Sequence, residues 1–468
     1  MAWHDTWSRM KRKPHVLIVT KQAIGPSWCS AIEMSCRKEQ EPWDHQLAAA
    51  EWLENRKHGL LSMDMGTGKT LVALLASKLF GQSCRVVDLT QGTSVARHRR
   101  LKEANSSGQR LAVVVNYESV YRGDLGKLID SILWEYIVLD ESHCIKAPGG
   151  KSSRWLARFA SHHPEAKRFC LTGTPMPHSK LDVYGQFRFL DPTIFGTSFV
   201  RFRHKYADLD PRFPSKVIRW KNDKDFTDVL DEHTWRVTSD EVLDLPTCLH
   251  QTLAVELDPK SRKFYNQIRD EAVADIASGK IVVSNALTKL LRLQQATSGY
   301  VNDEDNIRPL FGKPAKRLML QTTLEDLPVE EPVVVMCRFR HDLNEVAAVA
   351  KDLGRPYAEV SGTKKQLERW TEGDATILGC QIQSGGVGIN LTRAAYCFYY
   401  SLGFSLGDYE QSLARLHRPG QTRCVRYYHL VAKNTVDEQV YGALRERRSV
   451  IDAVLDELTP RTENAANE

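Results

Sequence analysis

Twice along the chain, short, largely apolar, strand-like runs alternate with amphipathic stretches, and no other sequence feature constrains the fold as strongly. Buried parallel strands covered on both faces by helices produce this pattern, because neither face of such a sheet meets water. In the first alternation, between residues 40 and 175, strands are predicted at Arg85–Thr90, Leu111–Asn116, Tyr136–Asp140 and Phe169–Thr172, with helices at Trp43–Arg56, Lys69–Phe80 and Ser153–Ala160. The second has predicted strands at Pro332–Cys337, Tyr357–Val360, Thr376–Cys380, Tyr396–Tyr400 and Val425–Val431, and helices at Leu343–Lys351 and Gln411–Leu416. Between them lies a region rich in charges and aromatics, with helical patterns at Ser261–Ala277 and Ala286–Gln295. The fold class is therefore α/β: two parallel-sheet lobes joined by a helical insertion and connector. The expected boundaries are a lead segment at 1–35, lobe one at 36–195, the insertion and connector at 196–310, lobe two at 311–456 and a polar tail at 457–468.

Composition narrows the class further. At 468 residues the chain has room for about three units of ordinary domain size. With 42% hydrophobic and 26% charged residues it has the balance of a globular protein, which excludes disorder as its main state. Apolar runs such as Leu111–Val115 are strand-length, far short of the roughly 20 residues that cross a bilayer, so no membrane association is expected. Met1–Lys13 is polar and basic, and Val16–Val19 is too short for a signal-peptide core, so an intracellular location is expected. The 10 cysteines form no CxxC pair, so neither a zinc cluster nor a disulfide framework is predicted. The 64 basic residues exceed the 58 acidic ones only slightly, so charge alone does not identify a polyanionic partner.

The chemistry-bearing segments fall at predicted strand ends. Met63-Asp64-Met65-Gly66-Thr67-Gly68-Lys69-Thr70 follows an apolar run and opens a helix, where backbone amides and a helix N-terminus can hold phosphates. Lys69 is placed to reach the β- and γ-phosphates, and the Thr70 hydroxyl to ligate magnesium. Asp140 and Glu141 end a predicted buried strand, at the edge where parallel sheets bind ligands. Asp140 suits a magnesium contact through water, and Glu141 the orientation or deprotonation of a water attacking the γ-phosphate. Leu171-Thr172-Gly173-Thr174-Pro175 ends the following strand. In lobe two, the glycines of Ser384–Thr392 allow close backbone approach to a phosphate chain. Arg415 and Arg418, three apart, become neighbours on one face if the preceding helix continues through them. The segment Phe199–Tyr206 interleaves rings with basic residues and is predicted to be an amphipathic helix packing its rings on lobe one.

The order and identity of these segments resemble the Swi/Snf-type ATPases, helicase-like DNA translocases of superfamily two. Asp140-Glu141-Ser142-His143, LTGTP followed by Phe187–Gly196, and SGGVGINLT followed by Gln411–Gln421 carry the likeness, with Leu290–Gln295 similar to the connector. The resemblance implies two RecA-like lobes, ATP and Mg2+ as ligands, and double-stranded DNA held mostly through phosphates, with branched or single-stranded DNA as alternatives. It matches Gln46 to an adenine-reading glutamine, Gly66, Thr67, Gly68, Lys69 and Thr70 to the phosphate loop, and Gly388 to the nucleotide set. Asp140 and Glu141 match its acids, Arg415 and Arg418 its arginine fingers, and His143 a position communicating between lobes. Thr93, Ser94, Tyr117, Gly386 and Thr392 fall in segments that touch DNA in such relatives.

The chain departs from the pattern at Leu89-Thr90-Gln91-Gly92, where a proline is usual, at Pro177-His178-Ser179, and at Pro419, where isoleucine is common. Its short connector leaves no room for an accessory chromatin module, so a minimal bacterial, archaeal or viral translocase is expected rather than a nuclear remodeller. A strand-separating DNA or RNA helicase is the nearest alternative. A non-hydrolysing adaptor that uses ATP only to set its conformation is the second.

Overall fold

The computed structural model describes residues 15–21, 28–37, 41–177, 179–209, 217–277, 283–303, 306–385, 389–446 and 450. The chain forms two compact units, Met1–Asp244 and Leu245–Glu468. Each is built on an all-parallel sheet, as the double alternation predicts.

The sheet of the first unit contains β1 (Val16–Thr20), β2 (His58–Met63), β3 (Arg85–Asp88), β4 (Leu111–Asn116), β5 (Tyr136–Asp140), β6 (Lys167–Thr172) and β9 (Thr234–Val237). Their spatial order is β3-β4-β1-β5-β6-β2-β9. Side chains alternate across a strand, so each strand feeds two cores. Leu17, Val19, Val113 and Val115 join Leu101, Ile129 and Phe159 on one face. Val16, Ile18, Ala112 and Val114 join Ile32, Leu53 and Val72 on the other. Burial on both faces explains why these strands read as unbroken apolar runs.

A short antiparallel pair, β7 (Ala207–Leu209) and β8 (Val217–Trp220), follows the helix Phe199–Tyr206. In that helix Phe202 and Tyr206 are buried in the first core, while Arg201, His204 and Lys205 are exposed. The rings therefore pack inward as predicted.

The second unit orders β10 (Cys248–Val255), β13 (Val333–Cys337), β14 (Tyr357–Val360), β15 (Ile377–Gln381), β16 (Tyr396–Tyr399) and β17 (Val425–Ala432) as β10-β17-β16-β13-β15-β14. Val334 and Met336 face one core, and Val333, Val335 and Cys337 the other. A hairpin of β11 (Tyr300–Asp303) and β12 (Asn306–Pro309) stands apart from this sheet.

Two features differ from the sequence reading. The lead segment 1–35 supplies β1, which pairs with both β4 and β5 inside the first sheet. The stretch 196–310 contains the expected helices Pro259–Ala277 and Val283–Thr297, but it also gives β9 to the first sheet and β10 to the second. Neither strand is marked by a long apolar run; only pairing with a distant strand defines it. The polar tail 457–468 lies outside the described residues.

Candidate functional site

Parallel strands deliver their carboxyl ends to one edge of a sheet. In the first unit β1, β2, β5 and β6 therefore bring Thr20, the loop after Met63, Asp140 and Thr172 to the same edge. The loop turns on Gly66 and Gly68, with φ of 85° and 88°, a region open to glycine and strained for other residues. Gly68 caps the helix Lys69–Ala76. A Cβ at Gly68 would also crowd Gln46 Nε2 and push that amide from its place, while the positive φ is what selects glycine there.

The loop is tied down from several sides. Gln46 Nε2 donates to Thr67 O at 3.0 Å, and His45 Nε2 lies 2.9 Å from the same carbonyl. Thr67 Oγ1 donates to Asp64 O at 2.7 Å. Lys69 Nζ folds back on the loop, donating to Met63 O at 2.8 Å and Asp64 O at 3.1 Å. Gln46 thus holds the phosphate-loop backbone with its amide nitrogen, while its carbonyl oxygen accepts from Trp43 N at 3.0 Å.

Asp140 and Glu141 are both buried. Burial and the neighbouring Glu141 push the Asp140 carboxyl up to about 6, against the pull of Trp28, Lys69 and Thr20. Burial opposes ionisation of Glu141 too, but nearby His143, Lys69 and Lys21 outweigh it and leave its carboxyl below the ordinary range. Glu141 adopts φ 50°, a left-handed conformation uncommon for a residue with a side chain. Its Oε2 is 3.3 Å from His143 Nδ1 but accepts no hydrogen bond from the described residues. The His143 nitrogen instead lies 3.2 Å from Thr172 Oγ1, which also accepts from Thr174 N at 3.1 Å.

A second chain of bonds starts one residue away. Ser142 Oγ donates to Gln186 Oε1 at 2.6 Å, and Gln186 Nε2 donates to Pro175 O at 2.8 Å. The acid strand, the Thr172–Pro175 turn and the helix Val183–Leu190 are therefore one hydrogen-bonded block. Gly173 completes the packing: a Cβ there would sit 3.4 Å from Met63 O and 3.8 Å from Lys69 Nζ.

The edge suits a magnesium nucleotide in its donor set. Hard oxygen ligands are available at Thr70 and Asp140, a cation at Lys69, and a buried carboxylate at Glu141 with His143 Nδ1 3.3 Å away. Among the described residues no cluster of three or more His, Cys, Asp or Glu forms a ready-made metal cage. Magnesium commonly binds through few protein ligands, waters and substrate phosphates, so no such cage is required.

The expected DNA-contacting residues divide. Thr93 and Ser94 are exposed at the start of the helix Ser94–Asn105, where Thr93 Oγ1 accepts from Ala96 N at 3.3 Å. Tyr117 is only 3% exposed, and its hydroxyl donates to Asp140 O at 2.9 Å. Its ring lies in the first core, so it offers little surface to a partner. Thr392 is half-buried and accepts at its carbonyl from Gln421 Nε2 at 3.1 Å. Gly386 and Gly388 lie outside the described residues.

In the second unit the helix Leu406–Leu413 stops before Arg415, so Arg415 and Arg418 sit in the following turn and not on a continued helical face. Gln421 closes that turn, its Nε2 reaching Ala394 O at 2.9 Å and its Oε1 accepting from Arg423 N at 2.9 Å. Arg415 is buried at 8% exposure and its carbonyl accepts from Leu391 N at 3.0 Å. Burial lowers the Arg418 pKa, yet a guanidinium stays charged at neutral pH.

Sequence reasoning did not single out Thr20, Trp28 or Gln186. Thr20 and Trp28 carry no local motif, and Gln186 is recognisable only once its helix is seen beneath the Pro175 turn.

Comparison with known proteins adds ancestry. Residues 84–301 match the SNF2-related domain. An uncharacterized ATP-dependent helicase of Mycoplasma pneumoniae is 24% identical over 465 residues, covering 91% of this chain and 43% of the relative. A putative protein p41 of Acyrthosiphon pisum secondary endosymbiont phage 1 is 26% identical, covering 78% of this chain and 80% of the phage protein. The mouse SWI/SNF-related matrix-associated actin-dependent regulator of chromatin subfamily A member 1 is 24% identical across 85% of this chain and 42% of its own length. The chain thus spans less than half of the Mycoplasma and mouse relatives. Among solved structures, the Sulfolobus solfataricus SWI2/SNF2 ATPase core in complex with dsDNA aligns with a TM-score of 0.36 and 19% identity, over 89% of this chain and 93% of that one. Over residues 84–301 the chain is similar to the SNF2-related domain, and along most of its length it resembles the Swi/Snf-type helicase-like ATPases.

Proposed function

We propose that the chain is a magnesium-dependent ATPase that couples hydrolysis to movement along duplex DNA. The observation that carries the reading is the convergence of the Gly66–Thr70 loop, Asp140, Glu141 and Thr172 on one sheet edge, in a chain related to ATP-dependent helicases. Thr70 and Asp140 would hold magnesium, which would supply charge neutralisation at the phosphate oxygens. Lys69 exchanges the carbonyls of Met63 and Asp64 for phosphate oxygens, which gives its charge a charged partner. Glu141 presents its buried carboxylate to the attacking water and accepts its proton. His143 and Thr172 link that carboxylate to the turn before the helix Val183–Leu190, a route by which the state of the acid reaches the rest of the unit. Arg415 and Arg418 of the second unit take the arginine-finger role that the family resemblance gives them, stabilising charge on the transferring phosphoryl group.

Duplex DNA is the proposed track because relatives of this chain include a regulator of chromatin and a chromodomain-helicase-DNA-binding protein. Exposed Thr93 and Ser94, with the basic helix they open, are proposed to meet its phosphates. A strand-separating helicase is the second reading, favoured by the helicase name of the Mycoplasma relative. Phosphate release by wild-type and Glu141→Gln protein, without nucleic acid and with single-stranded, duplex or branched DNA or structured RNA, separates them. Stimulation by plain duplex, lost in the variant, supports the translocase. Unwinding of an overhang substrate supports the second reading, and absence of hydrolysis under every condition contradicts both.

A further inference from the structure

Strand β1 precedes the nucleotide loop in sequence, yet it is threaded between β4 and β5, directly beside the acid strand. Its last residue, Thr20, donates from Oγ1 to Asp140 Oδ2 at 3.2 Å. The helix Trp28–Cys36 that follows supplies a second donor: Trp28 Nε1 reaches the same Oδ2 at 2.9 Å. Thr20, Trp28 and Asp140 are 1%, 4% and 7% exposed, so these bonds form away from competing water. Trp28 is packed in one core of the unit alongside Ile32 and Val114, which fixes the indole that carries the donor. Tyr117 Oη donates to the Asp140 backbone carbonyl at 2.9 Å.

Both side-chain donors converge on one carboxylate oxygen, and Oδ1 takes no hydrogen bond from the described residues. The terminal torsion of an aspartate is broad when nothing holds it, so an unsupported carboxylate samples many orientations. Two donors on Oδ2 remove that freedom and leave Oδ1 as the oxygen offered to the nucleotide edge. We propose that Thr20 and Trp28 are positioning residues that orient Asp140 for a divalent cation, making the β1 strand and its helix part of the metal site. This rests on the reading of the edge as a magnesium-nucleotide site, and it adds to that reading a role for Thr20 and Trp28 that no motif marks. Outer-shell partners of metal-binding carboxylates typically govern affinity by roughly 10- to 100-fold.

The test uses the full chain with Mn2+ and ADP as probes. Thr20→Val removes the hydroxyl at constant shape, Trp28→Phe removes the N–H while keeping an aromatic ring, and Thr20→Ser restores the donor. Loss of the free Mn2+ electron paramagnetic resonance signal reports metal affinity in the presence of ADP. Magnesium dependence of ATP hydrolysis separates the half-saturating metal concentration from kcat.

Each single variant is expected to weaken Mn2+ binding by about 10-fold and the double variant by up to about 100-fold. ADP affinity in excess chelator should stay unchanged, kcat should recover at saturating magnesium, and Thr20→Ser should behave as wild type. Unchanged Mn2+ affinity in the double variant overturns the positioning role alone. So does an equal loss of metal-free ADP affinity, which would reveal general damage. A wild-type chain that binds no Mn2+ with ADP overturns the underlying reading of the edge, and the inference with it.

Discussion

The two units share an architecture and use it differently. Each has an all-parallel sheet with apolar cores on both faces. At the carboxyl edge of the first, the buried polar groups are a strained Glu141 and an Asp140 held on one oxygen, arranged around a glycine loop. In the second, buried polar groups mainly cross-link elements. Lys316 Nζ pairs with Asp437 Oδ2 at 2.6 Å, Ser401 Oγ donates to Asp342, and Tyr409 lies 2.9 Å from His429 Nε2. Two sheets of one type thus carry different loads: the first unit gathers its buried acids around a glycine loop, whereas the second uses buried polar groups to join its elements and holds Arg415 and Arg418 in a stapled turn.

The sharpest way to break this contrast is to ask whether the second unit is needed for chemistry. Arg418→Ala is expected to lower kcat by roughly 1,000-fold or more with ATP binding retained, since an arginine finger acts on transition-state charge. Rapid-quench turnover with a separate nucleotide-binding assay checks it, and a rate within tenfold of wild type would confine the chemistry to the first unit. In the first unit, Glu141→Gln is expected to cost about 100- to 10,000-fold in kcat, the range for losing a general base, with the thermal midpoint little changed.

Stability should show the reverse pattern. Lys316→Met strands Asp437 in the second core, and breaking a buried pair from one side costs about 3–5 kcal/mol. Chemical denaturation followed by hydrogen exchange should locate that loss in Leu245–Glu468 and leave the first unit protected. Gly68→Ala is smaller: a side chain at φ 88° costs about 1–3 kcal/mol, and displacement of Gln46 should weaken nucleotide binding.

The pH response also separates the units. Burial, with His250 nearby, lowers the His429 pKa from its ordinary 6.5 to about 3. Its contribution to stability is therefore complete above 6.5 and is lost as pH falls through that value toward about 3. Asp140 has the opposite sign: raised from 3.8 to about 6, its contribution is present below 3.8 and lost as pH rises through about 6. Metal-free protein acidified from neutrality should therefore lose protection first in the second unit, and His429→Gln should flatten that response. A uniform loss across both units would remove the distinction.

Much of this organisation was legible from the residues. Leu111–Asn116 and Tyr136–Asp140 are strands as predicted, because burial on both faces leaves an apolar run with no competing pattern. The loop, the acid pair and the Thr172 turn could be assigned to one edge because each follows such a strand. What stayed hidden was defined by distant partners. β1 is short and lies in a lead segment, and only its pairing with β4 and β5 reveals that it is central. β10 has a mostly exposed edge, so its residues carry little burial pattern. Arg415 and Arg418 could be chosen by residue type, but the turn that holds them depends on Gln421 and on where the preceding helix stops. Trp28 was invisible as a site residue because an indole in an apolar segment has the same sequence signature whether or not its N–H meets a carboxylate.

The central claim is that the carboxyl edge of the first unit hydrolyses ATP and that a duplex stimulates it. Initial rates of phosphate release by the full chain, with and without linear duplex DNA, test it most directly when wild type and Glu141→Gln are measured side by side. The account predicts turnover raised by duplex in the wild type and abolished in the variant, with nucleotide binding intact in both. Equal turnover in the two proteins would contradict the assignment of Glu141 and, with it, the account of how this edge works.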